Sequence, residues 1–161
     1  ELQLNGHWPV VGDTHELLSG CGDFGGVLVA IGNNDIRLAK LQLLIDAGAT
    51  VPTLVHPSAT VSRYSALGFG SVVLAGAVVN LDCQIGQGVI INTAATVDHD
   101  CTLGAGVHGG VSVGERSWIG IGSSVRQLVR VGVDVTIGAG AAVVADTPVA
   151  CTLVGVPARV L

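Results

Sequence analysis

The residues best suited to chemistry in this 161-residue chain lie together at positions 92–108, in NTAATVDHDCTLGAGVH. His99 stands between Asp98 and Asp100. A carboxylate beside an imidazole fixes its tautomer and stabilises the imidazolium, so the trio reads as a general base for removing a proton from a nucleophile. A solvated histidine with acidic neighbours has the same composition, so the decision falls to its context. Asn92 opens the segment and His108 closes it. His108 reads equally as a substrate contact or a solvated edge, and Asn92 as a corner residue or a ligand. Cys101, two residues from His99, has the chemistry of a nucleophile, but its place in the repeat described next favours packing. His56, in HPSA, reads as a structural cap, and His7 and His15 carry no signal.

What must position this segment is a repeat. From Val61 a branched aliphatic residue recurs every six positions through Val73, Val79, Ile85, Ile91 and Val97 to Leu103, and again from Val113 to Val143. The fifth residue of each hexad is small, as at Ala77, Cys83, Ala95, Cys101 and Ser117. A period of six fits the two-residue alternation of a strand and not the 3.6 of a helix. Three short strands joined by corners make one turn of a triangular solenoid, with the aliphatic residue inside and Gly, Asn or Asp accepting the corner dihedrals. This is the hexapeptide repeat of a left-handed parallel β-helix. The expected domain covers residues 54–161, and His99, at the third position of its hexad, faces outward. The register breaks once: Leu103 to Val113 is ten residues, and eight more would restore a full coil.

Residues 1–53 read differently, as a partial Rossmann-like α/β subdomain. GGVLVAIGN (25–33) suits a buried strand, and Asn34 or Asp35 can cap a helix over IRLAKLQLLIDAGA with an apolar face of Ile36, Ala39, Leu43 and the neighbouring leucines. Gly48 is placed to end it, and a second strand is expected over 51–55. A helix that follows a strand and a polar turn offers its N-terminus to a phosphate or ribose. Composition narrows the partners. With a net charge of −5 and pI near 5.3 the chain has no basic stripe for nucleic acid. Polar residues interrupt every apolar run well before the roughly 20 residues of a membrane span. The opening ELQLNGHWPVVGD has no signal-peptide pattern. Four cysteines without CxxC spacing suit a reducing cytoplasm.

IGNNDIR (31–37), VHPSATVS (55–62), NTAATVDHDC (92–101) and GVPAR (155–159) together resemble one family. It comprises the bacterial nucleotide-sugar N-acetyltransferases of the bacillosamine and perosamine pathways, with the related sialic acid O-acetyltransferases. The likeness runs from about residue 25 to the C-terminus. It implies an acetyl-CoA-dependent enzyme that acetylates the amino group of a nucleotide-linked amino-dideoxy sugar of the UDP-4-amino type. It also implies a homotrimer with active sites between neighbouring solenoids. By the resemblance His99 is the base and Asp100 its orienting partner. Asn92 and His108 meet the substrate, Gly32 and Asn33 form the nucleotide-side turn, and Gly120, Gly138 and Arg159 lie on the coenzyme side. Two departures stand out: the family's first strand with its glycine-rich loop, and the eight residues after His108. Alternatives from other chemistry are sugar O-acetylation, a γ-type carbonic anhydrase and a non-catalytic solenoid. The anhydrase needs three zinc histidines, whereas only His99 and His108 are near in sequence, and no metal is expected. A non-catalytic solenoid should show a regular polar face, which is missing here.

Overall fold

The structure is a computed structural model and describes residues 4–99, 112–126 and 129–161. It is mainly β, a left-handed parallel β-helix with three faces. One face carries the strands Leu54–Val55, Val72–Val73, Ile90–Ile91, Trp118–Ile119, Thr136–Ile137 and Thr152–Val154, and Arg159–Val160 adds an antiparallel seventh. The second, five-stranded face runs through Thr60–Val61, Val78–Val79, Thr96–Val97, Ser124–Val125 and Ala142–Val143. The third, four-stranded face runs through Ala66–Leu67, Gln84–Ile85, Ser112–Val113 and Arg130–Val131.

Each two-residue strand is too short to hold itself, so its backbone groups are satisfied by the coils on either side. Thr60 N donates to Ala77 O at 2.8 Å and Thr96 N to Ser123 O at 2.9 Å. The period-six residues Val73, Val79, Ile85, Ile91, Val97, Ile119, Val125, Val131, Ile137 and Val143 are all buried, as the repeat requires. The small fifth residues from Ser71 to Ala95 and from Ser117 to Ala141 are buried with them, and where they are serine the hydroxyl is used. Ser71 Oγ donates to Gly86 O at 2.7 Å and accepts from Val89 N at 3.1 Å, tying one coil to the next.

Corner chemistry differs from expectation. Left-handed dihedrals fall on the fourth residue of the hexad, as at Asp82, Gly88, Ala94, Arg116 and Asp134, and not on the glycine-rich second. The second-position glycines serve another purpose, since neighbouring coils lie directly against them. A Cβ on Gly120 would stand 2.4 Å from the Ile137 carbonyl oxygen and 2.8 Å from the Gly138 carbonyl carbon.

The register break is resolved in the ladders. Elsewhere between Leu54 and Val143 strand partners are eighteen residues apart, as in Val79↔Val97 and Ile119↔Ile137. Across the break Val97 pairs with Val125, Ile91 with Ile119 and Ile85 with Val113, a step of twenty-eight. The place above Ile85, which the period assigned to Leu103, is filled by Val113. Val113 pairs in turn with Val131 at the usual step of eighteen.

Ahead of the solenoid, the helix α1 (Thr14–Ser19) opens with a capping box between Asp13 and Glu16. The helix α2 (Asn34–Asp46) is capped by Asn33, whose side chain accepts from Ile36 N at 3.0 Å, so Asn34 and Asp35 lie inside its first turn. Gly48, at φ +79, follows the helix end as expected. The buried stripe of α2 is Arg37, Leu41 and Leu44, while Ile36 and Leu43 are exposed. The reason is the surface it meets. Leu41 lies against the corner glycines Gly70 and Gly88, where the missing side chains let the helix approach. The segment 25–31 forms no strand ladder among the described residues, although Val27 N donates to Thr50 O at 2.8 Å, and residues 54–55 of the expected second strand pair with the solenoid. No helix among the described residues is long and apolar enough to cross a membrane.

Candidate active site

His99 follows the Thr96–Val97 strand on the five-stranded face. Its side chain is 48% exposed, and Nε2 stands 4.0 Å from Asp98 Oδ1. The same Asp98 oxygen accepts the His99 backbone N–H at 2.9 Å and the Asn80 side-chain amide at 3.3 Å, so the carboxylate is held beside the ring. The thiol of Cys83 donates to the Asp98 carbonyl oxygen at 3.2 Å from within the prism. An open groove of about 270 Å³ adjoins Asp98 and is lined by Asn80, Thr96, Ser124 and Arg126. Asp100, Cys101 and His108 lie outside the described residues. Asn92 is buried at a corner, where its side-chain oxygen accepts from Thr93 N at 2.9 Å and its carbonyl accepts from Ala95 N.

The nucleotide-side residues lie elsewhere. Gly32 and Asn33 sit over the seven-stranded face, where a Cβ on Gly32 would contact the Trp118 ring at 3.7 Å. Asn34 Nδ2 reaches Thr136 Oγ1 at 3.5 Å. Between this turn and the solenoid is a polar cleft of about 390 Å³, lined also by Asp35, Asp134, Thr136 and Thr152. Cys151 borders it, and burial pushes its thiol above the ordinary cysteine value, which disfavours the reactive thiolate. Gly120 and Gly138 are one coil apart in the stack, and both have backbone or side-chain atoms of the next coil where a Cβ would go. Arg159 is exposed on the last strand, and its guanidinium donates to Ala158 O at 3.0 Å. One chain therefore carries His99 and the Gly32–Asn33 turn on different faces of the prism.

Two groups were not singled out from the sequence. Arg37 is buried beneath the Gly32 turn and donates to it. Arg116 makes a two-pronged ion pair with Asp134, one coil on. The hydrogen bond to Arg116 holds the Asp134 carboxyl below its ordinary value, and the same bond raises the guanidinium's. A spacing of eighteen between opposite charges at the same hexad position was the available signal for this pair. Nothing comparable marks Arg37, whose acceptors are backbone carbonyls and one amide. Among the described residues no cluster of three or more His, Cys, Asp or Glu could hold a metal ion.

No protein-family model matches the chain, and no curated protein sequence matches it. Solved structures do. The acetyltransferase domain of PglB from Neisseria gonorrhoeae, in complex with acetyl coenzyme A, is 42% identical, with a TM-score of 0.84 over 100% of this chain and 82% of that one. PerB from Caulobacter crescentus, in complex with CoA and GDP-perosamine, is 41% identical, with a TM-score of 0.82 over 99% of this chain and 81% of that one. A histidine-to-asparagine mutant of the Caulobacter perosamine N-acetyltransferase, again with CoA and GDP-perosamine, matches at 42% identity and TM-score 0.80, over 96% of this chain and 78% of its own. With such identity across its whole length, the chain belongs to the hexapeptide-repeat nucleotide-sugar N-acetyltransferases, acyltransferases that use acetyl-CoA.

Proposed function

We propose that this protein transfers the acetyl group of acetyl-CoA to the amino group of a nucleotide-linked amino-dideoxy sugar, with His99 as general base. The observation that carries the reading is the exposed His99 imidazole beside Asp98, whose carboxylate borders an open groove, in a chain 42% identical to acetyltransferases of this class. The neutral imidazole takes a proton from the sugar amine as its nitrogen attacks the thioester carbonyl carbon. A backbone N–H of an adjacent coil stabilises the oxyanion. The carbon–sulfur bond then breaks, the amide forms, and the CoA thiolate recovers a proton from the imidazolium. The Asp98 carboxylate, 4.0 Å from the ring, stabilises the imidazolium as it forms, and Asp100 is the expected orienting partner on the other side in sequence. Asn92 and His108 belong to the acceptor side, Gly32 and Asn33 to the nucleotide, and Gly120, Gly138 and Arg159 to the coenzyme.

The working unit is a homotrimer with active sites between subunits. In one chain the Gly32–Asn33 turn overlies the seven-stranded face while His99 projects near the five-stranded one. A second copy can bring its own nucleotide-side turn to the first copy's histidine. A reducing cytoplasm suits Cys21 and Cys151, which form no disulfide.

The test is thiol release from acetyl-CoA with a panel of UDP- and GDP-amino sugars and a sialic acid, together with the mass of the assembly by light scattering. Release should require an amino sugar, fall at least about 100-fold in His99→Ala, and come from a species of three chains. Undiminished release in His99→Ala would reassign the base. Release only with sialic acid would make the enzyme an O-acetyltransferase.

A further inference from the structure

Arg37 is the sole charged side chain among the described residues that is fully buried, at 2% exposure. A guanidinium has five N–H donors in a fixed planar fork, and here all five are engaged. Nε donates to Gly88 O at 3.0 Å. Nη1 donates to Ile31 O at 2.9 Å and Gly32 O at 3.1 Å. Nη2 donates to Asn34 Oδ1 at 2.8 Å and Arg116 O at 3.3 Å. The acceptors fall into two sets: Ile31 and Gly32 in the turn ahead of α2 with Asn34 at the helix start, and Gly88 and Arg116 as stacked corners of the solenoid.

None of the five acceptors is a carboxylate, and burial pushes the Arg37 pKa down. An apolar side chain of similar volume would cover the same surface without desolvating a charge. What only the fork provides is the relative placement of five oxygens. Those oxygens fix the Gly32–Asn34 turn against the solenoid and set the width of the polar cleft between them.

We propose that Arg37 is a positioning residue for acceptor binding: its guanidinium locks the nucleotide-side turn to two solenoid corners, and the locked turn presents Gly32 and Asn33 to the nucleotide sugar. This rests on the reading above that Gly32 and Asn33 face the nucleotide. Acetyl-CoA, held along the solenoid, does not depend on the lock.

Trp118 gives a readout separate from activity, because its ring lies under Gly32 and the other tryptophan, Trp8, is exposed. In a Trp8→Phe background Trp118 is the sole tryptophan. Arg37→Lys keeps the charge but offers three donors without the fork. It should shift Trp118 emission to the red and raise the acceptor KM at least about tenfold. The acetyl-CoA KM should stay within about twofold. Asn34→Ala removes one acceptor of the fork from a residue that is only half-buried, and should show the same split at smaller amplitude. It carries the test if Arg37→Lys does not fold. Unchanged emission with unchanged KM values would overturn the proposal, as would an equal rise in both KM values, which marks general loosening. Shifted emission with an unchanged acceptor KM would show that the lock exists but that Gly32 and Asn33 do not meet the acceptor, which sinks the underlying reading instead.

Discussion

The solenoid and the segment docked on it are held together by opposite means. In the solenoid the same contacts recur at every coil: an aliphatic residue inward, a small residue beside it, and backbone bonds to the coils on either side. No single contact is indispensable in kind, although each is dense. The docked segment rests on a few unrepeated contacts, chiefly Arg37 on two corners and Leu41 against Gly70 and Gly88. Repetition confers stability that is spread along the prism. A non-repeated interface confers one defined placement, which is what a substrate-binding turn needs.

The largest effect should come from disturbing the repeat where it is tightest. In Gly120→Ala the new methyl meets Ile137 and Gly138 backbone, which cannot rotate away. Destabilisation of about 3 kcal/mol is expected, at the upper end for overpacking, read by thermal unfolding followed by far-UV circular dichroism. Gly122→Ala is the control. Gly122 is left-handed at φ +63 with open space around its Cβ position, so only backbone strain of about 1 kcal/mol applies. Equal melting temperatures for the two variants would mean that neighbouring coils can separate without loss.

Next comes the dock. Leu41 is 1% exposed in the small cluster of Val29, Leu44 and Val51, apart from the prism core. Leu41→Ala should weaken that cluster by about 2–4 kcal/mol through lost burial and the cavity left behind. The prism core should be untouched. Trp118 emission should therefore change at a lower temperature than the circular dichroism of the strands. Coincident transitions would make the two regions one cooperative unit and erase the contrast between them.

The same contrast explains what could be read from the sequence. Val73 to Val97 and Ile119 to Val143 were legible as core because each position repeats and errors average out. The ladder step at the break was not, because period alone cannot choose between Leu103 and Val113 for the place above Ile85. The corner role went to the wrong hexad position because glycine serves both close approach and left-handed dihedrals. In α2, leucines or isoleucines at 36, 38, 41, 43, 44 and 45 surround most of the helix. Its buried stripe was therefore chosen by the corner it meets and not by its own pattern. Arg37 was hidden for a related reason: four of its five acceptors are main-chain carbonyls, which no residue identity reveals. Of the candidate site, the outward placement of His99 was legible from hexad phase, while Asp100, expected as its partner, lies outside the described residues. The separation of His99 from the Gly32–Asn33 turn onto different faces required the coiled chain.

The smallest effect should come from the ion pair between coils, and its dependence on pH is what identifies it. Arg116 holds the Asp134 carboxyl below its ordinary 3.8. A carboxyl lowered on folding contributes stability that is complete above its unfolded value and disappears as pH falls through its folded value. Asp134 sits at φ +59, and asparagine tolerates that left-handed conformation, so Asp134→Asn removes the charge and keeps the corner. About a quarter of each side chain is exposed, and solvent screening limits the pair to about 1 kcal/mol. The unmodified protein should exceed Asp134→Asn by that amount from neutral pH down to about pH 5. The margin should narrow below about pH 4 and vanish in stronger acid. Added salt should reduce it at neutral pH. Denaturant titrations at a series of pH values measure it directly. A margin that persists unchanged at pH 2 would mean that Asp134 holds the coils through shape or hydrogen bonding that asparagine does not reproduce, and not through charge.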